Sequence, residues 1–338
     1  MQRIAITGAS GYIGTRLVRA LAALPQVERI VGLDLRPPAL PMPVQFQHVA
    51  TDVCAPFVGT LRATAADAAV HLAYSFSPDA RRAHASRVNV DGTRHFLDAC
   101  AAAGVRRAVL VSSATAYGAR PDNPPRLAEH CPLRAGPSFQ YAHEKRLTDE
   151  LAQRFAADRP ELSLAICRPP IVVGSGIDNH FSRLLLKPKV LCVRGHDPPM
   201  QFIHEDDLSD AIAALLAADV RGPINVAPPD TLRFSELAAA FERAPLALPG
   251  GLLRGLCAVS FALRWRRLNE SPAGAVSFIE HPWVVDGGRM EREVGWRARH
   301  ASAAAVAAWR AGIVARARAG ALPGKVRIKK APPPPTAE

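Results

Sequence analysis

The sequence predicts an α/β fold in which a doubly wound parallel sheet is joined to a smaller, mixed C-terminal lobe. Three observations predict this fold: strands and helices alternate over the first half of the chain, three glycines follow the first strand, and an acidic residue ends the second strand. Strands that alternate with helices form βαβ units, whose right-handed crossovers place helices on both faces of a parallel sheet. The 338 residues suffice for one large domain or two joined ones.

The alternating elements fill the first half of the chain. The predicted strands cover residues 4–7, 29–34, 69–73, 107–113 and 162–168, and the predicted helices cover residues 12–24, 89–104 and 141–158. Apolar runs bounded by glycine and proline define these segments. We therefore assign residues 1–170 to the domain that contains the sheet.

The alternation weakens after residue 170. Helices are predicted over 208–218, 234–243 and 301–318, and a strand over 224–226, with frequent proline and glycine between them. We expect residues 171–320 to form a smaller lobe, with elements near 200–226 returning to the sheet. The last segment, 321–338, is basic and rich in proline, which predicts a disordered tail.

The chain is strongly basic, with 42 Lys and Arg against 30 Asp and Glu and a formal net charge of +12. Such an excess is compatible with nucleic-acid binding. The basic residues are scattered, however, and with 4 Trp and 4 Tyr no aromatic residues alternate with them to stack on bases. We interpret the charge as a solvated surface and expect no nucleic-acid partner.

Six cysteines occupy positions 54, 100, 131, 167, 192 and 257 without any C-x-x-C pair. This spacing predicts no zinc site or other metal site, and it indicates free thiols in a reducing compartment. No targeting segment precedes the first predicted strand, so a cytoplasmic location is expected. The longest apolar stretch, near residues 246–263, is interrupted by Pro249 and Arg254 and is not expected to span a membrane.

The glycines lie in TGASGYIG, residues 7–14, between a strand and a helix. Gly8 permits a tight turn, Gly11 permits close approach of the backbone to a pyrophosphate, and Gly14 permits close packing of the helix on the sheet. The helix N-terminus offers free N–H groups to the phosphates. A glycine triplet in this context predicts a Rossmann-type dinucleotide site.

Asp34 ends the second predicted strand in VGLDLR. A carboxylate there accepts hydrogen bonds from the ribose hydroxyls of the cofactor and repels a 2′-phosphate, so the sequence favours NAD over NADP. Arg36 lies nearby and could meet a phosphate. The alternative interpretation of Asp34 is a solvated turn residue.

Tyr141 and Lys145 are four residues apart on a predicted helix, which places them on one face. A neighbouring ammonium is expected to lower the high pKa of the phenol, so that the tyrosine can exchange a proton with a substrate oxygen. Ser113 ends a predicted strand and could hold that oxygen, although alone it reads equally as a turn residue. The three residues together predict acid–base catalysis.

Several motifs occur in order: TGASGYIG, Asp34, HLA at 71–73, NVDGT at 89–93, SSATAYG at 112–118, YAHEK at 141–145 and RPPIVVG at 168–174. This set resembles the extended short-chain dehydrogenase/reductases, the group that contains NAD-dependent epimerases and dehydratases. The resemblance covers about residues 1–225. It implies that residues 1–170 bind NAD, that 171–320 bind the substrate, and that a homodimer forms.

The resemblance also implies roles for single positions. Tyr141 would be the acid/base, Lys145 would lower its pKa and hold the nicotinamide ribose, and Ser113 would orient the substrate oxygen. The implied cofactor-binding residues are Gly8, Ser10, Gly11, Tyr12, Ile13, Asp34, Arg36, Asp52, Val53, Leu72, Ala73, Asn89, Tyr141, Lys145, Pro169 and Val172.

Two positions depart from the pattern of relatives that act on nucleotide sugars. Those relatives resemble R-x-x-N-V-Y-G, where this chain has Ile171, and they often have a basic residue where it has Met200 and Gln201. An isoleucine offers no hydrogen bond, and a glutamine gives no charge-assisted one. Arg183, Arg194 or Lys187 could compensate for them. The apolar segment 245–265 either lines a pocket for a hydrophobic alcohol or ketone, touches a membrane surface, or packs in the core or a dimer interface.

The leading hypothesis is therefore an NAD-dependent oxidoreductase that transfers a hydride at a secondary alcohol or ketone of a small molecule, as in sterol-dehydrogenase-like relatives. The alternative is a UDP-sugar epimerase, which recycles its NAD. A non-catalytic NAD(P) sensor is less favoured, because such proteins typically lose the tyrosine or the lysine, and both are present.

Overall fold

The structure, a computed structural model, describes residues 2–76, 82–177, 184, 185, 187, 189–263, 265 and 271–319. Its centre is a sheet of seven parallel strands in the order β3-β2-β1-β4-β5-β6-β11. These strands are β1 Arg3–Thr7, β2 Arg29–Asp34, β3 Phe46–Ala50, β4 Ala68–His71, β5 Arg107–Val111, β6 Ser163–Arg168 and β11 Gly222–Asn225. The predicted α/β class with a parallel, doubly wound sheet is confirmed.

Helices cover both faces of the sheet. The helices are α1 Tyr12–Ala22, α2 Val58–Thr64, α3 Arg82–Ser86, α4 Gly92–Ala103, α5 Gln140–Asp158, α6 Glu205–Ala217, α7 Phe234–Ala240, α8 Gly250–Ala262, α9 Gly288–Val294 and α10 Ser302–Arg318. α1 and α6 bury apolar side chains such as Leu17 and Ile212 on one face, whereas α2, α4 and α5 bury Leu61, Phe96 and Ala152 on the other. This burial of apolar surface on both sides explains why the central strands are continuous apolar runs.

Three segments differ from the sequence-based expectations. The edge strand β3 was not predicted, because its sequence FQHVA is partly polar and it is only half buried. The apolar segment 245–265 begins as a short strand and becomes α8 after Pro249, whose backbone ends the strand and caps the helix. Helix α4 begins later than expected, because a π-helical turn, Arg87–Asp91, precedes it.

The C-terminal half contributes three small two-stranded sheets. Their strands are β7 Ile171–Val173 with β10 Phe202–His204, β8 Lys189–Val193 with β13 Ala244–Leu248, and β9 Pro199–Met200 with β12 Leu232–Arg233. A second core around the fully buried Trp309 and Phe202 holds them together. α6 packs on α1, and β11 pairs with β6, so both return to the main sheet. The division at residue 170 stays a prediction, and the predicted tail 321–338 lies outside the described residues.

A buried polar network joins α5 to the sheet. Arg168 donates to both carboxylate oxygens of Asp149, at 2.8 and 2.7 Å, and Ser112 donates to the same carboxylate at 2.6 Å. Arg168 also donates to the hydroxyl of Tyr117 at 2.7 Å, and that hydroxyl donates to Asn225 at 2.9 Å. Buried charges are stable only when they are paired and hydrogen-bonded in this way. The network therefore fixes α5, which contains Tyr141 and Lys145, against β6.

Candidate active site

The turn between β1 and α1 is shaped by its glycines. Gly8 has a φ of +72°, and a Cβ added there would lie 2.6 Å from the backbone nitrogen of Ala73. A Cβ on Gly14 would lie 2.3 Å from the carbonyl oxygen of Gly8. Gly11 begins α1 without any side-chain cap, and the first turn of α1 contains no acidic residue. The N–H groups of this helix end are thus left for an anion such as a phosphate.

Asp34 lies beside this turn. Its carboxylate accepts hydrogen bonds from the backbone N–H groups of Ser10, at 3.2 Å, and Arg36, at 3.4 Å. The hydroxyl of Ser10 donates to the carbonyl oxygen of Arg36 at 2.6 Å. These bonds hold the carboxylate at the end of β2, next to the glycine turn.

The other residues implied for the adenosine side have structural contacts of their own. Asp52 accepts a bond from the N–H of Cys54 at 2.9 Å, and Val53 is buried against Gly92. Leu72 and Ala73 follow β4 and lie against Gly8. Their adenine and cofactor contacts stay predictions.

A cavity of about 580 Å³ opens at the carboxyl end of the sheet. Seven of the predicted site residues line it: Tyr12, Ile13, Ser113, Tyr141, Lys145, Pro169 and Val172. They come from α1, α5 and the segments after β5 and β6, which meet because carboxyl ends of parallel strands share one edge of the sheet. The structure therefore brings the predicted catalytic residues together at one end of the cavity.

The hydroxyls of three side chains meet there. Ser113 begins a short 3₁₀ helix, Ala114–Tyr117, and accepts bonds from the N–H of Thr115 at 3.2 Å and from its hydroxyl at 2.9 Å. The Ser113 and Thr115 hydroxyls both hydrogen-bond the phenol of Tyr141. Thr115 was missed in the sequence, although its place two residues after Ser113 in SSATAYG was a usable signal.

Burial raises the pKa of Tyr141 above the usual 10, and the hydrogen bonds from Ser113 and Thr115 only partly oppose this shift. Desolvation of the phenolate outweighs these two hydrogen bonds. The lowering of this pKa by Lys145 stays a prediction. The phenol is protonated at neutral pH and can act as a proton donor.

Lys145 is itself buried. Burial lowers the pKa of its ammonium to about 8, and the nearby Asp149 carboxylate limits the shift. The ammonium donates to the carbonyl oxygen of Val111 at 2.8 Å and lies 4.4 Å from the ring centre of Tyr74. Lys145 is still mostly protonated at pH 7 and supplies a positive charge beside the catalytic hydroxyls.

A second polar group supports this end of the cavity. Asn89 accepts from the N–H of Ser75 at 2.7 Å, donates to its carbonyl oxygen at 3.0 Å, and donates to Glu144 at 2.7 Å. Tyr74 also donates to Glu144, at 3.3 Å. These contacts brace the segment beside the cavity, and the cofactor contact implied for Asn89 stays a prediction. Glu144 and Tyr74 were not singled out in the sequence, since their pairing depends on residues 55 and 70 positions apart.

The rest of the cavity wall is apolar apart from Ser271. It is formed by Phe76, Phe139, Ile171, Ile177, Leu184, Leu191, Met200, Leu253, Cys257, Val276, Phe278, Ile279 and Trp283. Among the described residues that line the cavity, Lys145 is the only lysine or arginine. This wall offers dispersion and apolar burial rather than charge.

The two positions that depart from the nucleotide-sugar pattern lie in or behind this wall. Ile171 and Met200 line the cavity. Gln201 is buried behind them, where its amide donates to the carbonyl oxygens of Pro228 and Val285, at 2.6 and 3.3 Å, and accepts from the N–H of Val285 at 3.1 Å. All of these hydrogen bonds join the Gln201 amide to backbone atoms, so Gln201 does not serve to bind a phosphate.

His71 and His204 make structural contacts. His71 bonds the hydroxyl of Thr7 at 2.7 Å, and burial lowers its pKa to about 3, so it stays neutral. His204 caps α6 by accepting from the N–H of Asp206 at 3.2 Å. Neither ring lines the cavity.

The site fits the cofactor that the sequence predicts. The glycine turn leaves an uncapped helix end and no space for a Cβ, which suits close approach of a pyrophosphate. The Asp34 carboxylate suits a ribose diol. Ile13 and the segment Pro169–Val172 form an apolar surface on which a nicotinamide ring can pack.

Comparison with known proteins identifies the family. The model of the NAD dependent epimerase/dehydratase family matches residues 4–227, so the chain belongs to this family. This confirms the resemblance drawn from the motifs, the predicted NAD-dependent enzyme class of the oxidoreductase and epimerase type, and NAD as the cofactor.

Individual relatives are more distant. An uncharacterised protein of Mycobacterium tuberculosis is 27% identical over 87% of this chain and 79% of its own length. The 3-diazoavenalumate denitrifying reductase of a Streptomyces species is 26% identical over 92% of this chain and 99% of its own length.

Solved structures share the fold. MoeE5 in complex with UDP-glucuronic acid and NAD superposes with a TM-score of 0.72 at 22% identity, over 93% of this chain and 99% of MoeE5. The dTDP-glucose 4,6-dehydratase of Bacillus anthracis in complex with NAD gives 0.72 at 13% identity, over 94% of this chain and 98% of that one. At these identities the likeness supports the architecture alone. In the part of the chain that the structure describes, no helix is long and apolar enough to cross a membrane.

Proposed function

We propose that this protein transfers a hydride between NAD and a secondary alcohol or ketone on a hydrophobic small molecule, with Tyr141 as the acid/base. The main observation that supports the proposal is the contrast between the polar end of the cavity and its apolar wall. Three hydroxyls and one ammonium meet at one end, and the remaining wall is apolar with no further cation among its described residues.

Tyr141 supplies the proton in the reducing direction. Its raised pKa keeps the phenol protonated at neutral pH, and a ketone oxygen that reaches the cavity end receives that proton as negative charge develops on it. The Ser113 oxygen accepts the proton of the Thr115 hydroxyl, so Ser113 is free to donate its own proton to the substrate oxygen and hold it in place. In the oxidising direction the same group must first lose its proton, so that direction requires higher pH.

The cofactor side follows from the same residues. NAD, when bound, supplies the nicotinamide that gives or accepts the hydride. The N–H groups of the glycine turn bind the pyrophosphate, Asp34 binds the adenosine ribose, and Lys145 binds the nicotinamide ribose. Pro169 and Val172 exclude water from the ring.

The substrate class is inferred from the wall. A nucleotide sugar carries two phosphates, and burying them requires cations or many N–H donors. Ile171, Met200 and Gln201 provide neither. The relative from Streptomyces, whose name describes a reductase rather than an epimerase, supports net reduction or oxidation.

A substrate screen tests the proposal. The protein is assayed with NAD or NADH against hydrophobic secondary alcohols and ketones in one arm and UDP-sugars in the other, while NADH absorbance is followed. We expect net NADH formation or consumption in the first arm only. Interconversion of UDP-sugar epimers without net NADH change would establish the alternative, an epimerase.

Two further properties are proposed. A cytoplasmic location is supported by the six cysteines, all of which are free. A homodimer is supported by the resemblance alone, and light scattering on the purified protein tests it.

A further inference from the structure

Helix α8 exposes an apolar face to solvent. Its outward residues are Gly251, Leu252, Gly255, Leu256, Ala258, Val259 and Ala262, and Leu263 follows directly. Leu252, Val259 and Leu263 are each more than half exposed, at 52%, 55% and 54%. A surface helix ordinarily presents charged or polar residues outward. None of the outward residues of α8 is polar, which marks this face as a contact surface.

The large apolar residues of this face form one stripe. Leu252, Leu256, Val259 and Leu263 are spaced by four, three and four residues, which aligns them along the helix. The opposite side of α8 is buried, and its Leu253 and Cys257 line the cavity. One helix thus separates the cavity from the exposed stripe.

Neighbouring segments extend the patch. Strand β13, which precedes α8, has the sequence APLAL and is exposed along four of its five residues, with Leu246 38% exposed. Trp265, just after α8, is 57% exposed. We call these six large residues the α8 surface: Leu246, Leu252, Leu256, Val259, Leu263 and Trp265.

The sequence that directly follows α8 is positively charged. The sequence that follows the helix reads Arg264-Trp265-Arg266-Arg267, and the whole chain has a net charge of +12. Within α8 the only charged residue, Arg254, is paired with Glu280. Exposed apolar side chains with an exposed tryptophan, in a basic stretch of sequence, match the chemistry of a membrane–water interface with anionic headgroups.

We propose that the α8 surface docks on an anionic membrane, with α8 lying in the plane of the interface. A helix of 13 residues is about 20 Å long, whereas the hydrocarbon core is about 30 Å thick. The helix is therefore too short to span, and it inserts its stripe into the headgroup boundary. The docking itself is independent of the proposed function. Its consequence, that a hydrophobic substrate enters the cavity from the lipid side past α8, rests on that function.

The competing occupant is a second copy of this chain. Gly251, Gly255 and Ala262 would allow two helices to approach closely. The bulky stripe and the net charge of +12 favour an anionic lipid surface, because two copies of a strongly basic chain repel each other whereas anionic headgroups attract it. The experiment separates the two.

Co-sedimentation with vesicles tests the docking. The full chain is mixed with vesicles of phosphatidylcholine alone or of phosphatidylcholine with phosphatidylserine, at low and high salt. We expect binding to the mixed vesicles that weakens at high salt. The double variant Leu256→Asp, Val259→Asp should bind at least tenfold more weakly, since two buried apolar side chains are lost.

Val44→Asp is the matched control, because Val44 is 96% exposed and lies outside the α8 surface. It should bind as the wild type does. Trp265 should shift its fluorescence to shorter wavelength with mixed vesicles, and Trp265→Phe should abolish the shift. Melting temperature and NAD affinity, measured on each variant, verify that it is folded.

Three results would overturn the docking: no binding of the wild type to mixed vesicles, equal binding of the double variant, or a dimer without lipid that the double variant dissociates. The last would assign the surface to a second copy. A failure of the substrate screen leaves vesicle binding untouched, so the two proposals fail separately.

Discussion

The two ends of the cavity are built from opposite chemistries. At the catalytic end, Ser113, Thr115 and Tyr141 hydrogen-bond one another, and Lys145 is held by a backbone carbonyl. The remaining wall consists mainly of aliphatic and aromatic side chains from the C-terminal half, with Phe76 and Phe139 from the first half. The catalytic end forms from segments adjacent to the parallel sheet, whereas most of the wall forms from segments after residue 170. Reaction type and substrate choice are thus encoded in separate parts of the chain.

The largest expected effect is at the catalytic end. Tyr141→Phe removes the proton donor, and we expect kcat to fall about a thousandfold while NAD affinity and melting temperature stay near the wild-type values. Steady-state kinetics and cofactor titration measure both.

Tyr117→Phe is the matched control for that change. The Tyr117 hydroxyl is also buried, but it bonds Arg168 and Asn225 outside the cavity. We expect a loss of about 1–3 kcal/mol of unfolding free energy with kcat retained. Normal turnover by Tyr141→Phe would refute the acid/base role.

The second effect concerns the glycine turn. Gly8→Ala places a Cβ against the backbone of Ala73 and should weaken NAD binding about a hundredfold, as measured by calorimetry. Gly104→Ala is the control, because Gly104 has the same φ of +72° but open space around it. It should lower the unfolding free energy by about 1 kcal/mol and leave NAD affinity unchanged. Equal NAD affinity in both variants would contradict the role of the glycine turn in binding the pyrophosphate.

The third effect concerns the wall. Ile171→Asn introduces an amide into the apolar surface and should raise KM for a hydrophobic substrate about tenfold with little change in kcat. Ile171→Leu conserves volume and should change KM little. If Ile171→Asn instead left KM for hydrophobic substrates unchanged, the wall would not select the substrate.

The smallest effect is the pH dependence of ketone reduction. Lys145 has a pKa of about 8 and Tyr141 a raised one, so both are mostly protonated at pH 7. The rate should be level from about pH 6 to 7 and half-maximal near the pKa of Lys145. Lys145→Arg keeps its charge and should move the decline upward. A rate that rises through pH 8 would contradict these assignments.

Local patterns made the fold and half of the site predictable. The glycine turn, Asp34 and the pair Tyr141 and Lys145 each depend on spacings within one or two elements, which the sequence displays directly. β3 was missed because an edge strand with polar residues has no continuous apolar run.

The remaining site features depend on distant residues. Asn89 and Glu144 are brought together because α5 packs on the π-helical turn Arg87–Asp91. The residues that line the cavity wall come from positions between 76 and 283. The direction of the Tyr141 pKa shift also required the structure, because burial outweighs the hydrogen bonds of Ser113 and Thr115. The spacing of residues in the sequence reveals neither these long-range contacts nor the direction of the pKa shift.

Helix α8 links two properties that otherwise vary independently. Leu252 and Leu256 face outward, and their immediate neighbours Leu253 and Cys257 face the cavity. A rotation or shift of this helix would change the outer surface and the substrate chamber together. Selection for a new substrate would therefore also alter the surface that α8 presents to other molecules. Laboratory evolution of substrate choice or of surface binding should monitor both properties.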